Sequence, residues 1–82
     1  MMQLDDAIKR VVEVAAKQLD VPVAAETAFV ADGLLDSLSL VNLIAALDQA
    51  FGVTTPNEEL RAEHFETPAT IAQLYVRQLE QR

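Results

Sequence analysis

"GLLDSLSL", residues 33–40, decides how this chain is read. Its character changes at the middle: Gly33 and two leucines lead into Asp36-Ser37, and a run of apolar residues at helical spacing follows. Asp36 is a good N-cap, because a short carboxylate accepts the N–H groups that open a helix. Gly52 stands where a left-handed C-cap belongs. The expectation is a helix over 37–51. At about 100° per residue, Leu40, Leu43, Ile44, Leu47 and Phe51 share one face. Leu38, Val41 and Ala45 share another, roughly opposite. One apolar stripe is enough to dock a helix in a small bundle, so the second asks for a partner. The alternative is a helix buried on both sides beneath the loop before it.

Ser37 opens this helix, where unpaired backbone N–H groups and the helix dipole favour a negative group. A phosphate ester on its hydroxyl suits that place. A nucleophilic serine would need a base, and the one histidine, His64, has nothing around it in the sequence to make it one. On pattern alone Ser37 is also a plain helix-start residue.

Upstream, Leu4, Ile8, Val11, Ala15 and Leu19 recur at helical spacing with Ala7, Val12 and Val14 beside them, predicting a helix from about 3 to 19 that Pro22 prevents from extending. Asp5 before Lys9 and Glu13 before Lys17 are i,i+4 pairs in the favourable order. Residues 20–36 show no period and read as a long loop pinned to the core by Val23, Phe29, Val30, Leu34 and Leu35. Downstream, Pro56 and a capping Asn57 announce one or two short helical turns within 57–65. Thr67 then caps a last helix with Pro68 at its first position and Ile71, Leu74, Tyr75 and Leu79 facing inward to about residue 80. Phe29 and Phe65 read as core plugs, and His64 as a rim residue. The fold class is all-α: three main helices and a short one in a single domain, 1–82.

The 82 residues carry a net charge of −7 and no cysteine, which excludes disulfides and a thiolate site. The charge is uneven: residues 20–66 hold nine acids against Arg61 alone. Such a field repels nucleic acid and anionic membranes and attracts basic protein surfaces. With no signal-peptide pattern and no run able to span a bilayer, the expected place is the cytoplasm. No metal cluster or glycine-rich phosphate loop supports an enzyme.

"DGLLDSLSLVNLIAALDQAFGV", residues 32–53, resembles the attachment motif and second helix of the acyl and peptidyl carrier proteins. The resemblance extends over the whole chain in its order of helix, long loop, helix, short helix and final helix. It implies a small four-helix bundle of the acyl-carrier type. It implies covalent 4′-phosphopantetheine on Ser37, with Asp36 as a contact for the transferase or its metal ion. The protein is then a non-catalytic carrier of acyl or aminoacyl thioesters. The implied partners are a phosphopantetheinyl transferase, a loading ligase or adenylating enzyme, and downstream enzymes that use the thioester. Leu38, Val41, Ala45 and Asp48 form the expected partner face of a monomer. Fatty-acid carriers usually place several acids along the second helix, where this chain has Ser39, Asn42 and Gln49. The segment "TTPNEELRAEHFETPATIAQL", residues 54–74, is similar instead to stand-alone carriers of aminoacyl, peptidyl or specialised pathways. A primary fatty-acid carrier and a cofactor-free helical adaptor are the alternatives.

Overall fold

The computed structural model describes residues 2–81. Three α-helices, α1 (Leu4–Leu19), α2 (Ser37–Phe51) and α3 (Pro68–Glu80), enclose the core, and two 3₁₀ turns, Asn57–Glu59 and Ala62–Phe65, connect α2 to α3. Helix α1 packs against both of the others. It presents Ala7, Val11 and Ala15 to the interior, and these small residues let its partners come close. Leu43, Leu47 and Phe51 answer from α2, and Ile71, Ala72, Leu74 and Tyr75 from α3. The rings of Phe51 and Tyr75 stack with centroids 4.8 Å apart, an arrangement that adds about 0.5–1.5 kcal/mol to their burial. Phe29 and Phe65 are buried plugs, as their sequence context suggested.

The helix ends follow local chemistry. α1 stops where Asp20 turns left-handed at φ 55°, two residues before Pro22. α2 begins at the Asp36 cap and ends at Gly52, whose φ of 70° is open to glycine at no steric cost. Thr67 and Thr70 cap α3 reciprocally, each hydroxyl accepting the other's N–H, with Pro68 at the first position.

Four local expectations are corrected. Leu4 is 40% exposed and its place in the inward stripe goes to Ala7, while Met2 folds in against the core. Val30 does not pin the loop and stands 56% exposed; Phe29, Val23, Leu34 and Leu35 do the pinning. Asn57 opens its turn without a side-chain cap, Pro56 occupying the cap position. The Asp5–Lys9 and Glu13–Lys17 pairs do not close, since solvent competes for both partners on an exposed face. The ion pairs among the described residues are instead Glu59 with Arg77 at 2.9 Å and Arg61 with Glu63 at 3.6 Å, and the His64 ring approaches Glu59 at 3.4 Å.

Candidate functional site

The approach to Ser37 is shaped by its own loop. The amide of Asp32 donates to the carbonyl of Ala28 at 2.8 Å, and Leu34 donates to Phe29 at 2.9 Å. Gly33 closes the turn by donating to Val30 at 3.1 Å with φ 69°, where any other residue would be strained. Leu34 and Leu35 then lean on the core and deliver the chain in extended form to Asp36. The carboxylate of Asp36 accepts the Ser39 N–H at 2.7 Å, and its carbonyl accepts the Leu40 N–H at 2.9 Å. The Ser39 N–H is the chief reason that the Asp36 carboxyl is held below the ordinary carboxylate range.

This arrangement separates the chain's two serines. Ser39 is half-buried inside the first turn, with its amide committed to Asp36. Ser37 is exposed, and its hydroxyl has no hydrogen-bond partner among the described residues. The N–H groups of Ser37 and Leu38 lack an acceptor four residues back, as at every helix start, and they face the end where negative charge is favoured. A phosphodiester on Ser37 would therefore meet free donors and an open approach. The residues present fit the phosphate end of 4′-phosphopantetheine. Asp36 is spoken for as a cap, yet remains solvent-exposed beside the hydroxyl.

Beyond Ser37, α2 shows the second face that its sequence calls for. Leu38 is 71% exposed, Val41 62%, and Ala45 is exposed below them. The helix is not buried on both sides. Asp48 departs from expectation. Its carboxylate turns inward, Oδ1 accepting the hydroxyls of Thr55 at 2.6 Å and Tyr75 at 2.7 Å, and Oδ2 the Thr55 N–H at 3.1 Å. Gln78 completes the group by donating to the Thr55 oxygen at 3.2 Å. Burial is the first cause that pushes the Tyr75 phenol well above its ordinary range, and the neighbouring Asp48 charge pushes the same way. Asp48 is thus an internal anchor for the end of α2 rather than a charge offered to partners. Sequence reading missed this group because its hydrogen-bonded partners lie up to 27 residues apart. One signal was present: a tyrosine predicted to face inward needs a partner for its hydroxyl.

The exposed face of α2 is in consequence free of charge. Within Ser37–Phe51 Asp48 is the sole ionisable side chain. His64 lies at the rim, half-buried against Glu59 and distant in role from Ser37.

Comparison with known protein families gives one match over most of the chain. The family described as the phosphopantetheine attachment site matches residues 9–75, a span that runs from the first turns of α1 to Tyr75 in α3.

Proposed function

The chain belongs to the phosphopantetheine-attachment family and so has a carrier role with covalent 4′-phosphopantetheine, and from that premise we propose that the group is attached at Ser37 and nowhere else. The observation that carries the proposal is the exposed Ser37 hydroxyl, unengaged at the head of α2, beside a second serine that is drawn into the turn. Bound there, the group supplies a thiol that holds acyl or aminoacyl units as thioesters. The residues around it do no bond-making of their own. Asp36 caps the helix, the first-turn amides offer donors to a phosphate, and Gly33 and the two leucines fix the angle at which the hydroxyl stands out. A tethered cargo on a compact domain reaches successive enzymes at high effective concentration.

Leu38, Val41 and Ala45 are the face by which those enzymes hold the carrier. Completing the burial of Leu38 and Val41 is worth about 1–2 kcal/mol each, a contribution that salt does not screen. The uncharged face also favours a specialised aminoacyl or peptidyl pathway over primary fatty-acid synthesis, where an acidic second helix is usual.

Incubation with a phosphopantetheinyl transferase and coenzyme A, read by intact mass and peptide mapping, tests the attachment. The expected result is one added phosphopantetheine on the peptide containing Ser37, and none on Ser37→Ala. Modification of Ser39, or of the alanine variant, would end the assignment. For the partner face, Val41→Asp and Asn42→Asp place the same new charge on neighbouring exposed positions. Apolar docking predicts that Val41→Asp slows loading far more. Equal effects would mean that charge, and not the lost contact, is what partners feel.

A further inference from the structure

The two ends of α2 are held in different ways. At the far end, directional bonds reach it from both neighbouring helices. The Arg10 guanidinium of α1 donates to the Ala50 carbonyl at 3.2 Å, and the Tyr75 hydroxyl of α3 donates to Asp48 Oδ1 at 2.7 Å. The Phe51 ring stacks on Tyr75, and Asp48 also holds Thr55, to which Gln78 of α3 donates. At the Ser37 end the hydrogen bonds are local. Asp36 accepts from Ser39 and Leu40, and among the described residues none of 37–47 is hydrogen-bonded to another helix. The hold there is apolar: Leu34, Leu35 and Leu40 are partly buried against the core, and the first fully buried side chain of α2 is Leu43. Between the turn at Gly33 and the cap at Asp36, the backbone of Leu35 makes no hydrogen bond among the described residues.

Resting on the reading of Ser37 as the attachment point, we propose that α2 is a lever. Its far end is the fulcrum, Leu35 is the link that gives, and the Ser37 end swings, so that one attachment point meets partners that approach at different angles. Hydrogen bonds weaken steeply once their angle leaves the preferred range, so bonds from two sides resist displacement of the far end. Apolar contact has no preferred direction and tolerates a small slide. Asp48 lies eleven residues beyond Ser37, a lever arm of about 16 Å. A swing of about 10° then moves Ser37 by about 3 Å and Leu43, nearer the fulcrum, by only about 1 Å. At Leu43 that lies within the shifts of about 1–2 Å that packed helices undergo in switching proteins. The Asp36 cap travels with the first turn, so the Ser37 hydroxyl keeps its setting on the helix while the helix end moves.

The test is NMR relaxation dispersion on the full-length, unmodified protein, which reads motion on the microsecond-to-millisecond scale of collective helix shifts. The expected result is exchange with one shared rate from Leu35 to Leu43, and quiet amides from Leu47 to Val53. The minor state should keep helical Cα shifts at Leu38, Leu40 and Val41. Tyr75→Phe and Arg10→Gln each remove one tie at the fulcrum. In the double variant exchange should spread into 47–53, with the minor population raised about twofold to tenfold, the worth of a hydrogen bond or so. Should Tyr75→Phe fail to fold, Arg10→Gln alone, at an exposed side chain, still has to spread the exchange toward Ala50. Coil-like Cα shifts in the minor state would mean that the first turn frays, and would overturn the lever. So would equal exchange along the whole of α2 in wild type, since the far end would then be no fulcrum, and so would the absence of exchange at both ends. None of these readings involves the arm. Attachment is judged separately by intact mass, so a failed lever leaves the carrier reading standing, and a failed attachment at Ser37 removes only the purpose of the swing.

Discussion

Asp48→Ala removes the acceptor on which the far end of α2 closes. Three donors lose their partner: the Thr55 N–H, the Thr55 hydroxyl and the Tyr75 hydroxyl. Thr55 is 8% exposed and Tyr75 fully buried, so water cannot readily replace the carboxylate. The two hydroxyl oxygens lie 3.2 Å apart and can satisfy one another once, which leaves the amide and one hydroxyl proton unpaired. At about 1–3 kcal/mol for each buried orphan, the loss is about 2–6 kcal/mol. A chain of this length has about 4–12 kcal/mol of stability in all, so the variant gives up a large share. Its Tm should fall by at least about 10 °C. Asp48→Asn keeps an oxygen for the two hydroxyls but turns an amide N–H₂ toward the Thr55 N–H, and should cost about 1–2 kcal/mol. Urea unfolding of wild type, Asp48→Ala, Tyr75→Phe and the double variant gives the coupling between the two side chains, expected at about 0.5–3 kcal/mol. If Asp48→Ala unfolds within about 1 kcal/mol of wild type, the carboxylate is not an anchor. It would then be free to face partners, as the sequence alone suggested.

Ser37→Ala should lose modification while melting within about 1 kcal/mol of wild type, since Asp36 already caps α2; a large drop in Tm would make Ser37 a structural residue. Leu47→Ala, at a fully buried position, should cost about 2–5 kcal/mol in urea unfolding, and equal melting of the two variants would overturn the assignment of α2's faces. The depressed folded pKa of Asp36 stabilises fully above the ordinary carboxylate pKa near ~3.9 and is lost as pH falls through the lower folded value, so Asp36→Asn should flatten the acid limb of a stability–pH curve. The raised folded pKa of Tyr75 works at the other end: its contribution is complete below about pH 10 and fades as pH climbs toward the folded value, and Tyr75→Phe should lack that alkaline decline.

The bounds of α2 were legible because each end carries a residue with one strong physical reason to be there. Asp36 accepts amides at the start, and Gly52 takes a left-handed φ at the finish. The same holds for α3, where Thr67 and Pro68 set the first turn. What sequence could not supply was the direction of side chains whose partners are distant. Asp48 falls by angle between the two apolar faces of α2, and only the arrival of Thr55 and Tyr75 draws it inward. Val30 misled for a related reason. A loop residue next to a buried phenylalanine has no period to tell which of the two enters the core, and Phe29 has the larger apolar surface to hide. Leu4 shows the limit of periodicity at a helix terminus, where Met2, from outside the helix, packs against the core and Leu4 stays exposed.

The inward turn of Asp48 changes what the protein's acidity can do. Of the nine acids in residues 20–66, Asp48 is committed to Thr55 and Tyr75, and Glu59 to Arg77 and His64. The other seven are exposed, and none of them lies on α2. Asp32 and Asp36 precede the helix, while Glu58, Glu63 and Glu66 lie in the segment that follows it. The acidic field therefore brackets the Ser37 helix without entering its apolar face. Charges so placed act over a Debye length of about 8 Å and chiefly raise the rate of encounter with a basic surface. On the proposed docking through Leu38 and Val41, the contact that resists separation is uncharged, and its strength follows the apolar area removed from water. Had Asp48 pointed outward, each docking event would have had to pair or desolvate a carboxylate beside that patch, a cost that the hydrogen bonds to Thr55 and Tyr75 avoid. The internal anchor and the uncharged exposed face of α2 are thus one feature, set by the direction of a single side chain.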